Sequence, residues 1–179
     1  MNAARNQSQY QVRFDWGIEG AAAVTPGSHI VIWVDALGTP GAPDPLAIPG
    51  ESAIVLGSTG NSAALAAWVL ERQADLGDRV IISVVAAGTD EGRFAVEDLL
   101  AAGAVIDAII AIGLDSTSPE AAAAAASFEG LRNAVSHLLS ASVTGKQLAE
   151  AGRGQAVAEA KALNAEPGIR ILREFSFES

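Results

Sequence analysis

The residues best suited to chemistry cluster around one junction. Gly88-Thr89 follows an apolar run, Val80–Val85, and is followed by Arg93 and the adjacent acids Glu97-Asp98. A glycine at a strand end lets backbone approach a ligand closely. Arg93 offers a planar fork for an anion, or pairs with Asp90 or Glu97 on the surface. Neighbouring residues on a helix point about 100° apart, so Glu97 and Asp98 are not expected to face one site together. One is expected to face the site and the other solvent, or both complement the positive helix N-terminus.

Two more polar groups end apolar runs. Asp35 follows His29–Val34, and its carboxylate suits magnesium, which takes a few carboxylates plus waters and substrate oxygens. The other reading of Asp35 is a turn-starting residue before Gly38. Ser58-Thr59-Gly60-Asn61-Ser62 precedes a helical stretch. Its backbone N–H groups are able to bind phosphate or sulfonate. Alternatively, Asn61 or Ser62 caps the helix. His29 and His137 share no metal-ligand spacing.

The elements that position these groups read as follows. Gln11–Trp16, His29–Val34, Ser52–Leu56, Val80–Val85 and Ile169–Phe175 are expected strands. The fully apolar second run fits a strand buried on both faces. Gly20–Val24, Ala63–Gln73 and Phe94–Ala102 are expected helices, the last capped by a left-handed Gly103. Val105–Ile112 is ambiguous. Ser118 as N-cap and Pro119 at the first position open a long Ala-rich helix that extends toward Leu139. Gln147–Ala151 and Ala156–Leu163 are shorter helices. Residues 1–10 are expected to fray, and Gly38–Gly50, with four of the seven prolines, to form a loop. Strands alternating with helices predict an α/β fold: three layers, a mostly parallel sheet flanked by helices, in one domain over residues 1–179. In such a sheet Asp35, Ser58-Asn61 and Gly88-Thr89 lie along one edge.

Composition narrows the function. Half of the 179 residues are apolar and 18% are charged, which supports a solid core. A net charge of -10 disfavours nucleic acid and anionic membranes as partners, and calls for a cation beside any small anionic substrate. The absence of cysteine excludes thiol nucleophiles and thiolate zinc sites. No signal-like or membrane-spanning run occurs, so a cytoplasmic location is expected. The Ala-rich helix allows a homodimer interface or an internal core equally.

These segments resemble the 2-phosphosulfolactate phosphatase family. The similarity rests on Val34-Asp35-Ala36-Leu37, the Ser58–Ser62 turn, and Ala87-Gly88-Thr89 with Glu97-Asp98-Leu99-Leu100-Ala101-Ala102-Gly103. Phe14–Ala21 looks like the opening of its actinobacterial members, and Ser140, Gly145, Leu148 and Gly152 fall at family-like spacing. Family members carry several tens of residues where this chain has only Gly38–Gly50, and their Thr-Asn-Gly turn reads Thr-Gly-Asn here. The resemblance implies a magnesium-dependent phosphatase acting on a small sulfonated 2-phospho acid. It implies Asp35, Glu97 and Asp98 as catalytic acids, and Ser58, Thr59, Gly60, Asn61, Gly88, Thr89 and Arg93 as substrate-binding groups. Magnesium would take Asp35, Asp98 and Asp115, although Asp115 reads equally as an Asx-turn residue. Three alternatives remain. Asp35–Thr39 resembles the haloacid-dehalogenase turn, but Leu37 stands where the second Asp is needed. A Rossmann nucleotide site lacks its G-x-G-x-x-G. A non-catalytic homologue would keep the fold as an anion-binding or oligomeric module.

Overall fold

A computed structural model of the chain describes residues 3–39, 41–89 and 93–174. Five strands form one sheet: β1 (Val12–Trp16), β2 (Ile30–Val34), β3 (Ala53–Gly57), β4 (Ile82–Ala86) and β5 (Arg170–Arg173). The spatial order is β1-β4-β2-β3-β5. The first four are parallel and β5 runs antiparallel at the edge. The α/β expectation holds. Phe175, expected in the last strand, lies outside the described residues.

Period-two patterning explains the layers. Ile30, Ile32 and Val34 of β2 point to one face, with Val55, Ile82 and Val84. There they meet α2 (Ser62–Leu76), α3 (Val96–Ala111) and α4 (Pro119–Leu131). Val31 and Trp33 point the other way, toward α1 (Gly17–Val24). The Pro-rich loop between β2 and β3 completes that second layer through buried Ile48. A parallel sheet needs both faces covered, and here a loop does part of a helix's work.

Three expectations need correction. Residues from Ala3 onward do not fray as a whole, because the Gln7 side chain is buried against β1. Its amide donates to the Phe14 carbonyl at 2.8 Å and accepts from the Phe14 N–H at 2.9 Å. It thereby occupies the open edge of β1. Gly103 does not end a helix. α3 continues through it to Ala111, so Val105–Ile112 is helical. A Cβ at position 103 would collide with the Ala124 carbonyl oxygen and lie 2.8 Å from Phe128 Cβ. The glycine is there for close approach of α3 to α4. Finally, the Ala-rich helix stops at Leu131 and the chain bends through Arg132–Ala134 into α5 (Val135–Ala141). Its start was legible: Ser118 Oγ accepts the Ala121 N–H at 3.1 Å. Ala121, Ala124 and Ala125 pack inside the core, which leaves their face unavailable to a partner subunit.

Beyond α5 come α6 (Val143–Glu150) and α7 (Gly154–Ala160). Leu139, Leu148 and Val157 form a satellite core with Leu37, Leu100 and Phe128. No helix among the described residues is long and apolar enough to cross a membrane.

Candidate functional site

Strand register brings three polar ends to one rim. Val34 pairs with both Gly57 and Ala86, so Asp35, Ser58 and Ala87 leave the sheet side by side. Open α/β sheets bind ligands at this carboxyl edge.

The N-terminus of α3 enters the rim. Asp98 is fully buried, and its two oxygens accept N–H groups from different strand ends, Ala36 and Gly88, each at 2.8 Å. The positive φ of Gly88 (74°) aims that N–H inward. Burial pushes the Asp98 carboxyl up to about 8. The negative fields of Asp35 and Glu97 act in the same direction, and the two amide bonds oppose them. Asp98 is therefore a brace between β2 and β4.

Asp35 is half-buried, and both its oxygens accept the Thr39 N–H, at 3.0 and 3.1 Å. Burial raises its pKa, and Glu97 adds to the rise. Glu97 is 2% exposed, and its Oε1 has no hydrogen-bond partner among the described residues. The expectation that one of Glu97 and Asp98 would face solvent is thus wrong. Leu37, just past the β2 end, belongs to one buried cluster with Leu100, against which Val96 of α3 also packs. Burial and the fields of Asp35 and Glu97 together favour the protonated form of Asp98.

The Ser58–Asn61 turn reaches the rim but is closed. Ser58 Oγ takes the Gly60 and Asn61 N–H groups, and Asn61 Oδ1 takes that of Ser58. A strap from the far end of the chain covers what remains. Thr59 Oγ1 donates to Ala160 O, and Asn164 Oδ1 accepts from Ala63 N and Ser62 Oγ at 3.0 and 2.9 Å. Glu166 seats its carboxylate over Gly60. Neither Asn61 nor Ser62 caps α2 through its side chain; Asn164 does. The anion cradle expected at Ser58, Thr59, Gly60 and Asn61 is filled by the chain itself.

Asp115 does not join the site. It lies beyond the C-terminus of α3, in the segment that pairs with the start of β1, where Ser116 O accepts the Val12 N–H. That is the opposite edge of the sheet. Its carbonyl accepts the Thr117 N–H at 2.8 Å, as in an ordinary turn. The set Asp35, Asp98 and Asp115 is not formed. No group of three or more His, Cys, Asp or Glu among the described residues is arranged to hold a metal ion.

Two cavities flank the acids, and Thr39 lines both. One, of about 580 Å³, runs from Asp35 past Trp33 and Leu172 to Arg170. The other, also about 580 Å³, holds Thr89 and Arg93 with Thr144 and Gln147 of α6. Arg93 forms no ion pair with Glu97 or any other described residue; Asp90 lies outside the described residues. Asn164, Thr144, Gln147 and Arg170 escaped sequence reasoning: nothing local marks Asn164 as acting on a turn about a hundred positions away, or the others as lining these cavities.

A model of the family described as 2-phosphosulpholactate phosphatase matches residues 46–174. Thr89, Arg93, Glu97, Asp98 and α6 fall inside the match, and Asp35 falls before it. No curated protein matches the chain. Since the matched span takes in most of the chain, the protein belongs to the 2-phosphosulpholactate phosphatase family.

Proposed function

We propose that the protein is a magnesium-dependent phosphoric monoester hydrolase that releases phosphate from a small 2-phospho acid such as 2-phosphosulfolactate. Family membership supports the reaction class. The single observation that carries the metal reading is the buried, unpartnered Oε1 of Glu97, set beside Asp35. An orphaned carboxylate oxygen costs at least about 1–3 kcal/mol. A hard cation would remove that cost.

The donors fit magnesium, which takes oxygen ligands and keeps waters and substrate oxygens in its shell. Asp35 and Glu97 would hold it. Asp98 positions them by fixing the β2 end against α3, since both its oxygens are engaged. When bound, the ion would neutralise phosphoryl oxygens as charge develops on them. The net charge of -10 makes such local positive charge necessary for a multiply anionic substrate. Arg93, exposed and lining the neighbouring cavity, would supply a cation on the other side.

The test is phosphate release from 2-phosphosulfolactate by metal-stripped protein, with and without added magnesium. Magnesium-dependent turnover is expected. Glu97→Gln should lower kcat/KM by about 100-fold or more, the scale of losing a charge-stabilising group in a closed site. It should leave the melting temperature unchanged or raised, since Glu97 Oε1 has no hydrogen bond to lose. Absence of turnover by the folded wild type would refute the reading. It would favour a non-catalytic anion-binding homologue, which the strap over Gly60 and the short Gly38–Gly50 loop also suit.

A further inference from the structure

We propose that the cavity under the Pro-rich loop is a substrate subsite for an apolar body that ends in a second anion, a carboxylate or sulfonate, and that Arg170 binds that anion. The proposal rests on the phosphatase reading and extends its substrate beyond three carbons.

The sheet lines up the parts. Trp33 of β2 pairs with Leu56 of β3, and Leu56 pairs with Arg170 of β5. Paired residues of neighbouring strands project from the same face. Arg170 therefore shares the face of Trp33, two strand spacings or about 10 Å away. Asp35 follows Trp33 by two residues and Leu172 follows Arg170 by two, which returns both to that face. All five line the cavity. Asp35 and Arg170 thus approach it from β2 and β5, with β3 between them.

The loop makes the roof, and the roof is fixed. Pro43 and Pro45 line the cavity. Asp44, also in the wall, caps its own loop, with Oδ1 accepting the Leu46 N–H at 2.9 Å. Arg173 ties β5 to the loop's far end. Its Nε donates to Ser52 O at 2.8 Å, and a terminal nitrogen donates to Ile48 O at 3.1 Å. A cavity held on both sides costs a ligand little ordering.

The chemistry of the walls names the occupant. Trp33, Leu56 and Leu172 make an apolar floor. The volume, about 580 Å³, is that of sites enclosing drug-sized ligands, so a three-carbon acid would leave most of it unfilled. Arg170 is exposed and forms no ion pair with a described residue. A guanidinium forks onto a carboxylate or sulfonate, and in a chain of net charge -10 such a cation is a local place for an anion. The phosphoryl group belongs at Asp35, where the magnesium would sit. The second anion then lies across β3 from it, at the far end of an apolar body about the size of one ring.

The test compares wild type with Arg170→Ala, a change on an exposed edge strand. Three substrates are used with magnesium: 4-carboxyphenyl phosphate, whose carboxylate lies across a ring from the phosphate; phenyl phosphate, which lacks the carboxylate; and 2-phosphosulfolactate, whose second anions lie close to the phosphate. Comparing the two proteins on each substrate cancels differences between leaving groups. Losing a charge-assisted pair should raise KM for 4-carboxyphenyl phosphate by about tenfold with kcat within about twofold. The other two substrates should change by less than about twofold. The wild-type advantage should shrink as salt is added, because the cation is exposed. An equal rise on phenyl phosphate or 2-phosphosulfolactate, or no rise on 4-carboxyphenyl phosphate, overturns the proposal. Turnover of 2-phosphosulfolactate without turnover of 4-carboxyphenyl phosphate also overturns it and leaves the phosphatase reading standing. If wild type turns over none of the three, the phosphatase reading fails separately, and calorimetric binding of 4-carboxyphenyl phosphate decides the subsite. Wild type binding about tenfold more tightly than Arg170→Ala supports it, while equal affinity or no binding overturns it.

Discussion

Replacing Gly103 with alanine separates local from tertiary reasoning, because the two predict opposite signs. Glycine inside a helix is worse than alanine by about 1 kcal/mol, so propensity alone predicts that Gly103→Ala stabilises α3. The packing predicts the reverse. The new methyl would overlap the Ala124 carbonyl oxygen and sit 2.8 Å from Phe128 Cβ and 3.0 Å from Ala124 C. Optimal carbon contacts lie near 3.5–4.0 Å. The obstructing atoms are backbone and Cβ atoms of a buried helix, so no side chain can swing aside. α3 and α4 must move apart, and overpacking of this kind costs about 3 kcal/mol at the upper end of its usual range. The net loss is about 2 kcal/mol, which for a domain this size lowers Tm by about 4–8 °C. Gly130→Ala is the matched control. It lies in α4 with nothing within 4 Å of its ideal Cβ. It should be neutral or stabilising by up to about 1 kcal/mol. Urea and thermal unfolding followed by circular dichroism measure both variants. Gly103→Ala proving as stable as wild type would refute the close-approach explanation.

Two further tests address other parts of the chain. Asn164→Ala removes the cap that Ala63 N and Ser62 Oγ share and places alanine at φ 51°, so it should destabilise by about 2 kcal/mol; urea unfolding equal to wild type would show that the strap is idle. His29 has its pKa lowered, chiefly by burial, and its Nδ1 accepts the Ile81 N–H at 2.9 Å. The neutral form is therefore the folded form, and stability should be full above the ordinary histidine pKa and fall as pH drops below it. His29→Gln should flatten that fall between about pH 7 and 5; an unchanged slope would assign the pH dependence to other groups.

The rim itself was legible before any coordinates. Apolar runs ending at Asp35, Ser58 and Gly88, alternating with helices, imply parallel strands, and parallel pairing in register places their ends together. The start of α4 was equally plain, because Ser118-Pro119 is a local signal. The identity of the acids at the α3 N-terminus came with the same motif.

What the residues alone decided was whatever neighbours in sequence decide: strands, helix starts, and which polar groups lie one step beyond a strand. Tertiary approach decided the rest. Gly103 looked like a stop until α4 was laid across it. Glu97 and Asp98 were both enclosed once the β2 and β4 ends met the α3 N-terminus, where Ala36 and Gly88 bond Asp98. The Ser58–Asn61 cradle closed because Asn164 and Glu166 arrive from the other end of the chain, and Asp115 was carried to the far edge by the length of α3. Propensity and capping act over a turn or two of backbone, whereas burial and the pairing of polar groups depend on segments brought together only when the chain folds.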